Sequence, residues 1–282
     1  MAHLLAFAAI AAATQLGGVN YAVDQPMPQA DRSHVLWADE FDGPKLDMSK
    51  WSFDTSRNKA GWWNGEQQYY AAGRPENVRI EDGRLIIEAR RDPEALSKLP
   101  DWGGQNYSSA RIMTQGKASW TYGFYEVRAK LPCARGTWPA IWLLPEAAGG
   151  GWPDGGEIDV MEMVGSQPNV AHATLHTALF NHAKGTGRGA ETPVPTACTE
   201  FHRYQLAWGP NAIVIGVDDH AYMRVNNDQP GGRGAWPFDR PFHMILNLAI
   251  GGPWAGSKGI DDAAMPQRFE VDYVRVYPLP RR

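Results

Sequence analysis

Three carboxylates, Glu157, Asp159 and Glu162, lie inside an apolar run that opens on Gly155-Gly156 and closes at Gly165. The run is rich in β-formers and bounded by glycines, which reads as a buried strand. A charge buried in such a strand without a partner is costly, so the acids need a purpose; a solvated acidic edge is the ordinary alternative. Side chains alternate along a strand, so Glu157 and Asp159 share a face while Glu162 would point away. One extra residue bulging from the ladder, Val160 or Met161, returns Glu162 to that face. The two glutamates then stand an effective four residues apart, about 13 Å between Cα atoms. Leaning inward, their carboxyl groups approach to about 5 Å, the spacing at which one carboxylate attacks a sugar while the other donates a proton, with net retention. Close carboxylates also push one another's pKa values apart, so similar side chains can take different jobs.

Glu-Ile-Asp-Val-Met-Glu resembles the signature of family 16 glycoside hydrolases, in the form that carries one extra residue. The resemblance implies that Glu157 is the nucleophile, that Asp159 assists it, and that Glu162 is the general acid and then the general base. Spacing alone does not distribute those roles.

Short strands must hold this segment in place. Val35 to Phe41 reads as a first strand, and Glu40-Phe41-Asp42-Gly43 resembles the opening of family 16 domains. Val78 to Glu88 reads as a hairpin turning at Asp82-Gly83. From Tyr125 to Leu131 apolar and charged residues alternate, as in a strand with one wet side. No helical periodicity of useful length follows residue 30, and no internal repeat is visible. Many short strands with Gly and Pro turns predict an all-β, two-sheet sandwich. The resemblance sharpens this to a jelly roll of the concanavalin A-like kind with a concave substrate cleft, and it covers residues from about 34 to 278.

The resemblance also nominates cleft residues. Asn64 precedes Glu66 by two positions in the polar, aromatic stretch Trp62 to Tyr70, as the family's sugar-lining Asn does; otherwise it is a turn former. Arg111 in Ser109-Ala110-Arg111-Ile112 would reach the glycone side; a lone strand Arg is otherwise a solvated face. Trp138 and Trp142 lie four apart, on one face of a strand, and would pack beneath or beside a glucan, although either could be plain core. His176 would face the cleft near the acid/base, with His172 a packed or surface residue. Trp254, in a Gly-rich loop, reads as a sugar platform. Asp272, an acid in a last strand apolar on both faces, would help hold a structural calcium with backbone carbonyls of Glu40 and Gly83; a solvent-paired Asp is the alternative.

Some chemistry is excluded. His172 and His176 stand at i and i+4, but Ala173 takes the place of a metalloprotease glutamate and the context is a strand, so zinc is rejected. Gly251 to Lys258 lacks the Gly-Lys-Ser/Thr ending of a phosphate loop. A net charge of −4 predicts no general attraction to nucleic acid or to acidic membranes. Twelve Trp, ten Tyr and nine Phe among 282 residues, with 30 Gly and 21 Pro, suit a loop-rich β protein whose cleft stacks flat sugar faces. Cys133 and Cys198 permit one disulfide without requiring it.

Leu4 to Ala13 is apolar and too short to span a bilayer. With the small residues after it, this stretch reads as a secretory signal peptide over 1–20. Residues 21–33 then read as a linker, and 34–282 as one catalytic domain. The expectation is a secreted or periplasmic monomer. It cleaves β-1,3-linked glucan internally with retention, with mixed-linkage β-1,3-1,4-glucan as a second substrate, and needs no cofactor for catalysis. The rivals are a binding-only protein and a transglycosylase on the same fold.

Overall fold

The computed structural model describes residues 19–147 and 151–279. Most of the expected signal peptide, residues 1–18, lies outside the described residues. Two sheets pack face to face, as the alternating strands require. The first has eight strands, in the order Val19–Asn20, Arg188–Pro193, Val170–His176, Glu157–Glu162, Thr137–Pro145, Phe242–Ile250, Arg111–Met113 and Ser52–Phe53. The second has eleven, with Gly123–Lys130 paired on one side to His202–Trp208 and on the other to Gln267–Tyr277. Val78–Glu81 and Arg84–Arg91 form the expected hairpin, with Asp82 and Gly83 both at positive φ as a tight turn requires.

The core lies between the sheets. Ile141, Leu143, Ile158, Leu246 and Leu248 of the first meet Tyr125, Val127, Leu206, Phe269 and Val271 of the second, all buried. Each such side chain contributes roughly 1.5–3 kcal/mol by leaving water. This packing frees the other face of the eight-stranded sheet for polar side chains. Cys133 and Cys198 are joined in a disulfide, their Cα atoms 5.7 Å apart.

Two expectations need correction. The segment read as a linker runs instead as an edge strand, Ala22–Pro26, along His220–Met223 of the second sheet. The wet side of Gly123–Lys130 is also partly dry. Glu126 is fully buried there, held by Arg32 Nη1 and Nη2 at 3.0 and 2.7 Å. A polar, proline-containing stretch gains its strand only from long-range pairing, which local composition does not reveal. Among the described residues no helix is long and apolar enough to cross a membrane.

Candidate active site

The acidic strand carries the bulge its spacing demands, at Val160. On one side Ile141 pairs with Met161 and Trp142 with Asp159; on the other Asp159 pairs with Thr174 and Glu162 with His172. His172, Thr174 and His176 alternate on an unbulged strand and share a face. Their partners Glu162, Asp159 and Glu157 therefore share one too. Val160 and Met161 are both buried in the core, so two successive apolar residues serve the core while the acids on either side face out. Glycines close both ends. A Cβ at Gly165 would lie 1.8 Å from the Ala134 carbonyl oxygen, and one at Gly156 would lie 2.7 Å from Pro237.

Burial raises all three carboxyls, by unequal amounts. Glu157 rises to about 7; the Arg111 charge and hydrogen bonds from Asp159 and Trp152 hold it down. Glu162 rises to about 8, through burial and the charges of Glu157 and Glu66, against the N–H of Trp138. Asp159 goes well above the carboxylate range, through burial and the charges of both glutamates. Protons therefore settle first on Asp159, then on Glu162, and last on Glu157. A protonated Asp159 donates to Glu157, which leaves Glu157 as the anion and Glu162 as the acid.

The neighbouring strands complete the face. Trp138 Nε1 donates to Glu162 Oε1 at 3.0 Å, and Trp142 Nε1 donates to Asn247 Oδ1 at 2.7 Å. Both indoles are half-buried on the face of the acids, as their spacing predicts. Arg111 is held by Asp54 at 3.0 Å and lies over Trp142 and Trp62 at 4.7 and 5.3 Å. Trp254 sets its ring edge-on to Trp138 and to His172, at 5.0 and 5.1 Å, and so stands at the Glu162 end. Asn64 is exposed in the turn Trp63–Gly65, where it hydrogen-bonds Glu66.

His176 is not where the resemblance puts it. It pairs with Glu157, not Glu162, and its Nε2 lies 3.4 Å from Asp159 and 3.8 Å from Glu157. His172 is the histidine opposite Glu162, buried, with Nδ1 3.4 Å from Glu191. Burial lowers His172 to about 4, and burial with His182 nearby lowers His176 to about 3. Both imidazoles are neutral at pH 7, so these contacts are dipolar and not ion pairs. The hairpin itself carried the clue: residues 163–169 connect the two strands, which sets Glu162 against the first of the histidines.

Trp152 and Glu66 were also missed as site residues. Trp152 is 47% exposed, hydrogen-bonds Glu157, and tilts against His176 and His182. Glu66 accepts from Gln68 Nε2 at 2.8 Å, and burial raises its pKa. A Trp-Pro pair just before an acidic strand and an acid two residues after Asn64 were the available signals.

The calcium set lies on the second sheet, away from the acids. Asp272 is skipped between the Val271–Ala129 and Tyr273–Arg128 pairs, and its Oδ2 accepts from Arg128 Nη1 at 2.6 Å. Pairing of Asp39 with Val274 and of Leu85 with Val271 brings Glu40 and the Gly83 turn alongside. The Glu40 carboxylate is taken by Arg275, two contacts of 2.8 Å, which leaves its carbonyl as the donor. One carboxylate between two carbonyl-bearing segments suits a hard cation, although Arg128 already supplies a positive charge.

Paired carboxyls on the open face of a two-sheet sandwich, one ionised and one protonated, are the arrangement of a glycoside hydrolase. Comparison agrees: residues 65–275 match the glycosyl hydrolases family 16, and the chain belongs to that family. A beta-glucanase of Rhodothermus marinus is 49% identical over 257 residues, covering 88% of this chain and 86% of that protein. The solved laminarinase from Rhodothermus marinus is 46% identical with a TM-score of 0.82, covering 92% of this chain and 100% of its own. A mutant of SCLam, a non-specific endo-beta-1,3(4)-glucanase from family GH16, is 50% identical with a TM-score of 0.88, covering 91% of this chain and 99% of its own. That protein presents a 1,3-beta-D-cellobiosyl-glucose at its active site.

Proposed function

We propose that the chain is a retaining, endo-acting hydrolase of β-1,3-linked glucan, with mixed-linkage β-1,3-1,4-glucan as a second substrate. The observation that carries this is the bulge at Val160, which sets Glu157, Asp159 and Glu162 on one open face. Glu157 attacks the anomeric carbon as Glu162 protonates the departing glycosidic oxygen. A glycosyl ester on Glu157 results. Glu162, now a carboxylate, takes a proton from a water whose oxygen attacks the anomeric carbon; the bond to Glu157 breaks, the sugar leaves with its new hydroxyl, and both groups are restored. Asp159 donates to Glu157 and keeps its charge localised. The chemistry calls for no cofactor. Asn64, Arg111, Trp138, Trp142, His176 and Trp254 bind the glucan, with the indoles offering flat faces to the sugars.

The names of the relatives support the substrate. A binding-only role is disfavoured because the acids are present in the order of protonation that hydrolysis needs. Product profiles on laminarin, lichenan and agarose test the reading. Release of short oligosaccharides from laminarin, a smaller yield from lichenan and none from agarose are expected, with Glu157→Gln abolishing release. Product lengths that grow with time would favour a transglycosylase. The reading also includes export to the periplasm or medium, action as a monomer by residues 34–282, and a calcium at Glu40, Gly83 and Asp272. Chelation with EGTA should then lower the melting temperature, and added calcium should restore it.

A further inference from the structure

We propose that Glu157, Asp159 and His176 form a capture site for a borderline divalent cation, zinc or copper, whose entry shuts the cleft. One ligand atom from each of the three lies within 4.8 Å of the other two. Glu157 and His176 are directly opposed across neighbouring strands, and Asp159 follows two residues on. His176 Nε2 is 3.4 Å from Asp159 Oδ2 and 3.8 Å from Glu157 Oε1. A tetrahedral zinc with bonds of about 2.0–2.2 Å holds its ligand atoms about 3.3–3.6 Å apart, so both distances from His176 are already near the required edges. The histidine pair excluded above is not revived: His172 sits by Glu162, and only His176 joins the acids.

A second observation points to a ligand. Asp159 is 3% exposed, and its Oδ2 has no hydrogen-bond partner. A buried acceptor left without a donor is costly, and a cation supplies the missing partner. Two carboxylate oxygens with an imidazole nitrogen favour zinc or copper over calcium or magnesium, which prefer oxygen alone. The ion exchanges three of its waters for these atoms, and the proton shared by Asp159 and Glu157 passes to buffer. Coordination draws the Glu157 charge toward the ion, and the ion stands where the sugar would enter, so Glu157 no longer attacks. That consequence rests on the catalytic reading; the capture itself rests on geometry.

Titrating zinc chloride into the chelator-treated full chain by calorimetry tests the capture, with cobalt chloride as a visible-absorbance reporter. One zinc per chain is expected, displaced by a laminari-oligosaccharide and unaffected by calcium or magnesium. His176→Gln and Asp159→Asn should each weaken it at least tenfold, and Glu162→Gln should not. Circular dichroism of each variant shows that it is folded, and either one alone suffices for the test. Zinc binding unchanged in a folded His176→Gln or Asp159→Asn overturns the site. One-to-one binding with undiminished laminarin hydrolysis overturns the shut-off, and would count against Glu157 as nucleophile rather than against the capture.

Discussion

Glu157 and Glu162 have the same side chain and differ only in what touches them. Arg111, Asp159 and Trp152 hold Glu157 down, while the charges of Glu157 and Glu66 push Glu162 up. Hydrolysis needs the first ionised and the second protonated. The rate should therefore climb as pH rises through the value of Glu157, about 7, and fall as pH passes that of Glu162, about 8. A bell in kcat/KM on laminarin centred between these limbs is the expected profile, its limbs belonging to the coupled acids as a set. Activity that stays flat from pH 6 to 9 would contradict the assignment. The acids were legible in the sequence because a carboxylate in an apolar strand costs stability, and three at this spacing match what glycoside cleavage requires. The partners that tune them were less so. Arg111 and Trp138 came through resemblance, while Trp152, just before the acidic strand, matches no motif.

At the scale of one strand, the site depends on one surplus residue being absorbed in a bulge. Inserting one alanine between Met161 and Glu162 would turn Glu162 into the core, since a one-residue slip exchanges the faces of a strand. The expected outcome is loss of laminarin hydrolysis with a destabilisation of several kcal/mol, from an unpaired buried carboxylate, read by thermal unfolding and product release. A folded, active insertion variant would show that the shared face is dispensable. The bulge could be foreseen because Val160-Met161 interrupts an otherwise alternating pattern. The position of His176 was misjudged for a different reason. The resemblance names the residue, but its level along the strand follows from the Glu162–His172 hairpin closure.

Across the whole molecule, the two sheets divide the work. One carries the acids, and the other braces it from behind. The amino-terminal stretch belongs to that brace. Arg32 lies over the Phe124 and Tyr277 rings and pairs with Glu126, which Gln205 and Tyr273 also contact. Arg32→Ala leaves a buried carboxylate short of its cation. Because Arg32 is itself partly exposed, the loss should be about 2 kcal/mol, seen as a lower melting temperature with KM for laminarin unchanged. The sandwich was legible from strand alternation and turn residues. This strap was not, because its strand exists only through partners some two hundred residues away.

The central claim is that Glu157 becomes covalently bonded to the sugar. It is tested most directly by trapping the enzyme with a 2-fluoro laminaribiosyl fluoride and locating the label by peptide mass spectrometry. The account predicts one sugar per chain, on the peptide that holds Glu157, and a product released with retained anomeric configuration. A label on Glu162, or a product of inverted configuration, would contradict it.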